Sequence, residues 1–256
     1  MCTLALYFNV FDELPLLVAA NRDEHFDRPS APPVEIVGAT RIVAGRDLRV
    51  GGTWLGVNEH GLLAGILNRR QNDNGNSDWQ STSTRSRGLL CMDLLQLESV
   101  ADGVEFLTGH GSAYSPFTVI IADRQTAWVA YNNHEPRIVA KQLDAGLHVF
   151  SSAAELDLNS AKADRAHPRF AQLKTRMEPA QSSRWLSELR SVLADHTLRD
   201  GSNDPGDAIC VHRESTGTVS SSIVALTAQH PRFETFFCPG PPCQNDFAGP
   251  LSLTVR

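Results

Sequence analysis

Apolar residues crowd the first twenty positions of the chain without the three-to-four spacing of an amphipathic helix. Residues 3–9 (TLALYFN) are rich in apolar and aromatic residues and too short for a helix, the pattern of a strand buried on both faces. Asp12-Glu13 marks a turn and Leu16 to Ala20 a second apolar strand, so residues 3–20 predict a hairpin. Its second arm runs into Asn21-Arg22-Asp23-Glu24, which the hairpin returns to the start of the first arm. Arg28 to Pro33 holds three prolines and is expected to be irregular, because each proline removes a backbone donor. A short strand follows around Ile42–Ala44. In Gly51-Gly52-Thr53-Trp54-Leu55-Gly56 the flanking glycines predict tight turns and close backbone approach. Leu62 to Leu67 reads as the returning strand, ending at Asn68.

The polar stretch 71–84 predicts a long loop. Leu90, Leu94 and Leu97 recur at helical spacing and predict a helix over Arg85–Leu97. A second helix starts at Ser99, with Asp102 as its capping partner, and stops at Gly109. Strands are expected at Phe117–Ala122, Ala127–Tyr131, Arg137–Ala140 and Leu147–Ser151. Residues 155–175 read as partly helical, and Ser183–Leu193 as a clear helix. Three more strands follow, at Ala208–His212, Val219–Leu226 and Phe233–Cys238. Strands in hairpin-linked runs, with helices in blocks, predict an α+β fold of two antiparallel sheets between helix layers. No linker or repeat divides residues 1–256, so one domain is expected.

Composition narrows the function classes. The 256 residues are 41% hydrophobic with a net charge of −6 and no basic run, which argues against nucleic acid as a partner. No stretch approaches the roughly 20 apolar residues of a spanning helix, so no integral membrane segment and a cytoplasmic location are expected. The five cysteines, an odd number without CxxC pairs, fit a reduced protein. The nine histidines show no ligand spacing and no glycine-rich phosphate loop is present, so neither a metal nor a required cofactor is expected.

Cys2 is the leading chemical candidate. Methionine is commonly trimmed when residue 2 is small, and a freed α-amine beside a thiol is a base and a nucleophile in one residue. A free α-amine titrates near ~7.7–8.0 and a thiol near ~8.5, so both are partly in their reactive form at neutral pH. Asp23 would orient that amine or thiol. Asn21 and Arg22 arrive at the same place as candidate substrate contacts, and Trp54 between its glycines could wall a pocket. Asn68 at a strand tip could donate to an oxyanion. From pattern alone each has a plainer reading: a small residue starting a strand, surface ion pairs, a strand-ending amide, a core tryptophan.

Taken together, Met1-Cys2, Ala19-Ala20-Asn21-Arg22-Asp23-Glu24, Arg28-Pro29, Ala44-Gly45-Arg46-Asp47, Gly51-Gly52-Thr53-Trp54-Leu55-Gly56 and Asn68 resemble the NRDE family, related to transport and Golgi organization protein 2. The resemblance implies an N-terminal nucleophile (Ntn) hydrolase fold of αββα layers, similar to choloylglycine hydrolases and penicillin V acylases. It implies Cys2 as nucleophile, Asp23 as its contact and Asn68 in the oxyanion hole. Ser152 stands where such proteins carry a second functional Asn, and Val219 where an arginine is common. The implied activity is hydrolysis of a small-molecule linear amide or thioester. The alternative implied by the family is binding or trafficking of haem or an acyl lipid in the same pocket, without turnover.

Overall fold

The hairpin at the start of the chain is the centre of the architecture. The computed structural model describes residues 2–69, 85–132, 137–152, 161–174, 182–198 and 201–256. Strands β1 (Thr3–Phe11) and β2 (Leu14–His25) pair antiparallel with Thr3 opposite Asn21. Successive β1 side chains point to opposite faces, and both faces are covered. Leu4, Leu6 and Phe8 enter a core shared with the second sheet, while Ala5 and Tyr7 enter a core beneath helices. That double burial explains the unbroken apolar run.

The first sheet has the order β10-β1-β2-β11-β12-β13, adding β10 (Gly146–Ser151), β11 (Thr216–Leu226), β12 (Arg232–Pro239) and β13 (Ala248–Thr254). The second is a seven-stranded meander of β3 (Ser30–Ile36), β4 (Ile42–Asp47), β5 (Leu55–Asn58), β6 (Leu63–Asn68), β7 (Phe117–Ala122), β8 (Ala127–Asn132) and β9 (Ile138–Gln142). Helices α1 (Arg87–Leu94) and α2 (Val100–His110) cover the outer face of this sheet through Leu90, Leu94 and Leu107. Helices α3 (Ala161–Leu173) and α4 (Ser182–Leu193) cover the first sheet through Phe170, Trp185 and Leu189. The result is the expected α+β arrangement of four layers, helices outside and two antiparallel sheets inside. Among the described residues no helix is long and apolar enough to cross a membrane.

Three expectations change. The proline-rich stretch forms β3, because an edge strand leaves one row of donors unpaired and a register shift between Ala31 and Val34 absorbs Pro32 and Pro33. Residues 208–212 are not a strand, although Ile209, Cys210 and Val211 are buried; they join no sheet beyond an isolated bridge from His212 to Gly217. Strand β13 escaped notice because Gly249 and Pro250 interrupt it and it, too, lies at an edge. The polar loop expected at 71–84 lies outside the described residues, whereas within 155–175 the expected partial helix is α3, with residues 155–160 and 175 outside them.

The glycine-rich segment between β4 and β5 resolves into a docked turn. Asp47 caps it, its carboxylate accepting from the backbone N–H of Arg49 at 2.9 Å and Val50 at 3.3 Å. Arg28 Nε donates to the same carboxylate at 2.7 Å. Gly51 has φ +78°, where a side chain is strained. A Cβ on Gly52 would lie 2.3 Å from the carbonyl carbon of Gly88, so the turn sits backbone to backbone on the start of α1. A Cβ on Gly45 would lie 2.8 Å from the Trp54 ring, which fills that space instead.

Two expectations follow for stability. Gly52→Ala pits a methyl against backbone that cannot rotate away, and should lower unfolding free energy by about 1–3 kcal/mol, read as a lower urea midpoint. For Asp47, burial pushes the carboxyl up, but Arg28 and the N–H groups of Arg49 and Val50 outweigh it and hold the group below its ordinary 3.8. A depressed folded pKa contributes stability above the unfolded value that is lost as pH falls through the folded one. Asp47→Asn should therefore cost about 1–2 kcal/mol at neutral pH, with the gap to wild type closing below about pH 4 in urea titrations.

Candidate functional site

Cys2 sits at the head of β1, where the strand is flanked on both sides. Its backbone N–H donates to Ser152 Oγ at 2.7 Å, and Ser152 N–H returns a bond to the Cys2 carbonyl at 3.2 Å. Its Sγ–H points at the carbonyl oxygen of Asp23, 3.7 Å away across the hairpin. The hairpin register thus brings Cys2 and Asp23 together, as the sequence predicts.

The Asp23 carboxylate is sealed from water and held from two sides. Lys162 Nζ, on α3, reaches Oδ2 at 2.6 Å, with side-chain exposures of 1% for Lys162 and 2% for Asp23. Thr218 Oγ1 donates to Oδ1 at 2.7 Å and itself accepts from Val211 N–H at 2.9 Å. Thr218 faces Asp23 because β11 carries a bulge: Thr218 pairs with Asp23 and Ser220 with Arg22, leaving Val219 as the extra residue.

Beside Cys2 a cleft of about 620 Å³ opens between the sheets. Asn68, at the end of β6, contributes from the facing sheet, and Trp54 and Ile66 form apolar wall. The charged lining sets Arg22, Arg28 and Arg87 against Asp23, Glu24 and Asp47. The Arg22 guanidinium stacks over Trp54 at 4.3 Å from the ring centroid and lies 3.9 Å from Asp47. Burial lowers the pKa of Arg22 and of Arg87, and Cys2 is first among the neighbours that push each back up. Cys2, Arg22 and Arg87 line the same cleft. A smaller hollow of about 300 Å³ adjoins the cleft through Asp23, Glu24 and Asn68, and Ser152 and Arg213 line it.

Cys2, Asp23, Asn68, Arg22, Trp54 and Ser152 thus gather around one place. Asn21 does not. The strand alternation turns it to the opposite face, where its Nδ2 donates to the carbonyls of Leu193 at 2.8 Å and Ile209 at 2.9 Å. Ser221 Oγ donates to its Oδ1 at 2.6 Å, and the residue is 1% exposed. Its role is to pin the end of α4 and the 209 segment to β2, in place of the substrate contact expected for it. Lys162, Thr218 and Arg87 are not among the site residues expected from the sequence, and Arg28 figures there only in the Arg28-Pro29 pair of the family resemblance. Lys162 carried a usable signal: it stands four residues before Ala166 on the face that buries Ala166, Phe170 and Leu173. Arg87 and Thr218 carried none, since only the tertiary fold brings them to Cys2 and Asp23.

Comparisons with known proteins bear on the family and the fold. The human Transport and Golgi organization protein 2 homolog is 34% identical over 137 residues, 48% of this chain and 47% of that protein. The mouse homolog is 31% identical over a stretch of the same length, so the chain spans about half the length of the curated relatives it matches. Among solved structures, penicillin V acylase from Agrobacterium tumefaciens superposes with a TM-score of 0.59 at 14% identity, covering 93% of this chain and 83% of that one. The Caenorhabditis elegans ortholog of N-acylethanolamine-hydrolyzing acid amidase follows with 0.58 at 12% identity, covering 87% and 92%. At such identities the likeness is one of fold, that of the Ntn hydrolases. The model of the family Transport and Golgi organisation 2 matches residues 1–236, and the chain belongs to that family.

Proposed function

We propose that the protein is a cysteine-dependent Ntn hydrolase of linear amides or thioesters, with Cys2 as nucleophile once Met1 is removed. The observation that carries this reading is the position of Cys2. It heads a strand flanked on both sides, opens on a cleft, and has its backbone nitrogen 2.7 Å from a hydroxyl acceptor. In the proposed reaction the α-amine takes the proton from Sγ, and Sγ attacks the substrate carbonyl. Asn68 donates to the oxyanion, where a positioned side-chain donor contributes roughly 2.7–4 kcal/mol in comparable sites. The ammonium then gives its proton to the leaving amine or thiol as the bond to carbon breaks. Water, deprotonated by the same amine, attacks the S-acyl carbonyl; the C–S bond breaks, the acid leaves, and the ammonium returns its proton to Sγ. Asp23 holds the Cys2 end of the hairpin through its carbonyl while Lys162 and Thr218 hold its carboxylate. No cofactor enters these steps. Arg22, Arg28 and Arg87 line the cleft together with Asp23, Glu24 and Asp47, so its walls carry charges of both signs.

The alternative, binding of haem or an acyl lipid without turnover, draws support from the apolar patch of Trp54, Ile66 and Leu89 on the same walls. One experiment separates the readings. Intact mass of the purified protein should show loss of Met1, and a panel of acyl amides and thioesters should leave a transient acyl adduct on Cys2 with product release. Cys2→Ala should show neither adduct nor turnover. Turnover retained in Cys2→Ala, or saturable haem binding that depends on Cys2 with no acyl chemistry across the panel, overturns the hydrolase reading.

The buried ion pair yields a second test. Lys162→Met strands a carboxylate and should destabilise the fold by about 3–5 kcal/mol. Asp23→Asn combined with Lys162→Met should recover most of that stability in urea titrations without recovering the acylation rate. A single mutant as stable as wild type would show that the pair does not anchor β2 to α3.

A further inference from the structure

Just past the end of α4, three separate segments bring His196, Cys210, His212 and Cys243 together. His196 follows α4, Cys210 and His212 lie on the non-sheet stretch before β11, and Cys243 lies in the loop between β12 and β13. One ring nitrogen from each histidine and both sulfurs lie within 4.8 Å of one another. Cys210 Sγ is 3.8 Å from Cys243 Sγ and 3.7 Å from His212 Nε2, and His212 Nε2 is 3.3 Å from Cys243 Sγ. We propose that these four side chains form a structural zinc site.

The distances match that chemistry. With Zn–S near 2.3 Å and Zn–N near 2.0–2.1 Å, tetrahedral angles put ligand atoms about 3.3–3.8 Å apart. Three ligand pairs already have that spacing. His196 is exposed, and its ring needs only a small swing to close the fourth corner. Two sulfurs and two imidazoles are a donor set that suits Zn²⁺ rather than a hard cation. A disulfide would require the sulfurs near 2.05 Å, and both thiols are free. His196 Nδ1 lies 3.1 Å from the carbonyl oxygen of Cys210; donation there fixes the tautomer that leaves Nε2 its lone pair, the usual outer bond of a ligating histidine. Four protein ligands leave no open position, so the site is structural and not catalytic.

The spacing of these residues in the chain resembles no zinc motif, which is why none is expected from the sequence: each segment supplies one or two ligands, and only the fold joins them. The consequence reaches the candidate site. Val211, between two of the ligands, donates to Thr218 Oγ1, which donates to Asp23. The ion would thus reinforce a segment that is not itself a strand and is tied to the first sheet only by bonds such as those from Asn21 and Thr218.

The test uses the 256-residue chain purified under reducing conditions. Inductively coupled plasma mass spectrometry should find about one zinc per chain. After chelation, Co²⁺ should restore the intense visible bands of a tetrahedral site with thiolate charge transfer. His196→Ala and Cys243→Ser should each weaken Co²⁺ binding at least about tenfold, whereas Cys2→Ala should bind as wild type does. Chelation should lower the thermal midpoint of wild type. Reduced wild-type protein that holds no zinc and gives no thiolate–Co²⁺ spectrum overturns the proposal even if every variant fails to fold. So does a spectrum unchanged in both ligand variants, or a Cys210–Cys243 disulfide in protein supplied with zinc.

Discussion

A lysine and an aspartate, each nearly sealed from water, meet between β2 and α3. Two charges in such a place are costly to bury, and a good pair roughly offsets the loss without adding much net stability. What the pair adds is direction. Separating Lys162 from Asp23 leaves a charge stranded in low dielectric, so the helix layer has one favoured seat on the sheet. Thr218 takes the other carboxylate oxygen and adds β11 to the arrangement. The end of β2 is therefore fixed on its helix side. Its cleft side, with the carbonyl that faces Cys2, is fixed along with it.

Much of this was legible in the sequence, for a physical reason. Strand β1 is apolar from Leu4 to Phe8 because both of its faces are covered there, and so short an apolar run reads as a buried strand. The hairpin then delivers Asp23 to Cys2 with no long-range inference. Asn21 shows the limit of that logic. Neighbouring residues on a strand share a location but not a face, and one step along β2 separates a cleft residue from an interior bolt. The prolines of β3 misled for a related reason: a proline forbids a central strand, not an edge one, and edge position is a property of the whole sheet. Lys162 and the four ligands near His196 are tertiary coincidences, drawn from segments that no local pattern connects.

The glycines of the 45–56 stretch also have a spatial explanation. Gly45 makes room for the Trp54 ring, and Gly52 lets a turn rest on the first turn of α1. Their combined effect is to bring Arg87 and Trp54 to the mouth of the same cleft. Trp54 in turn supports Arg22 by stacking on its guanidinium, which limits the freedom of a charge that would otherwise sweep the opening. The placement of charged side chains around the cleft thus depends on small residues that carry no charge.

The reciprocal pair of bonds between Cys2 and Ser152 has one more implication. The hydroxyl of Ser152 accepts a hydrogen from the nitrogen of residue 2, and a peptide N–H and a free amine can both supply it. The head of β1 can therefore take the same position before and after a preceding residue is cut away. Under the proposed mechanism, folding and ripening become independent events: the chain assembles its reaction centre in full while the nitrogen is still acylated and inert, and a single peptide cleavage arms it without moving an element of the fold.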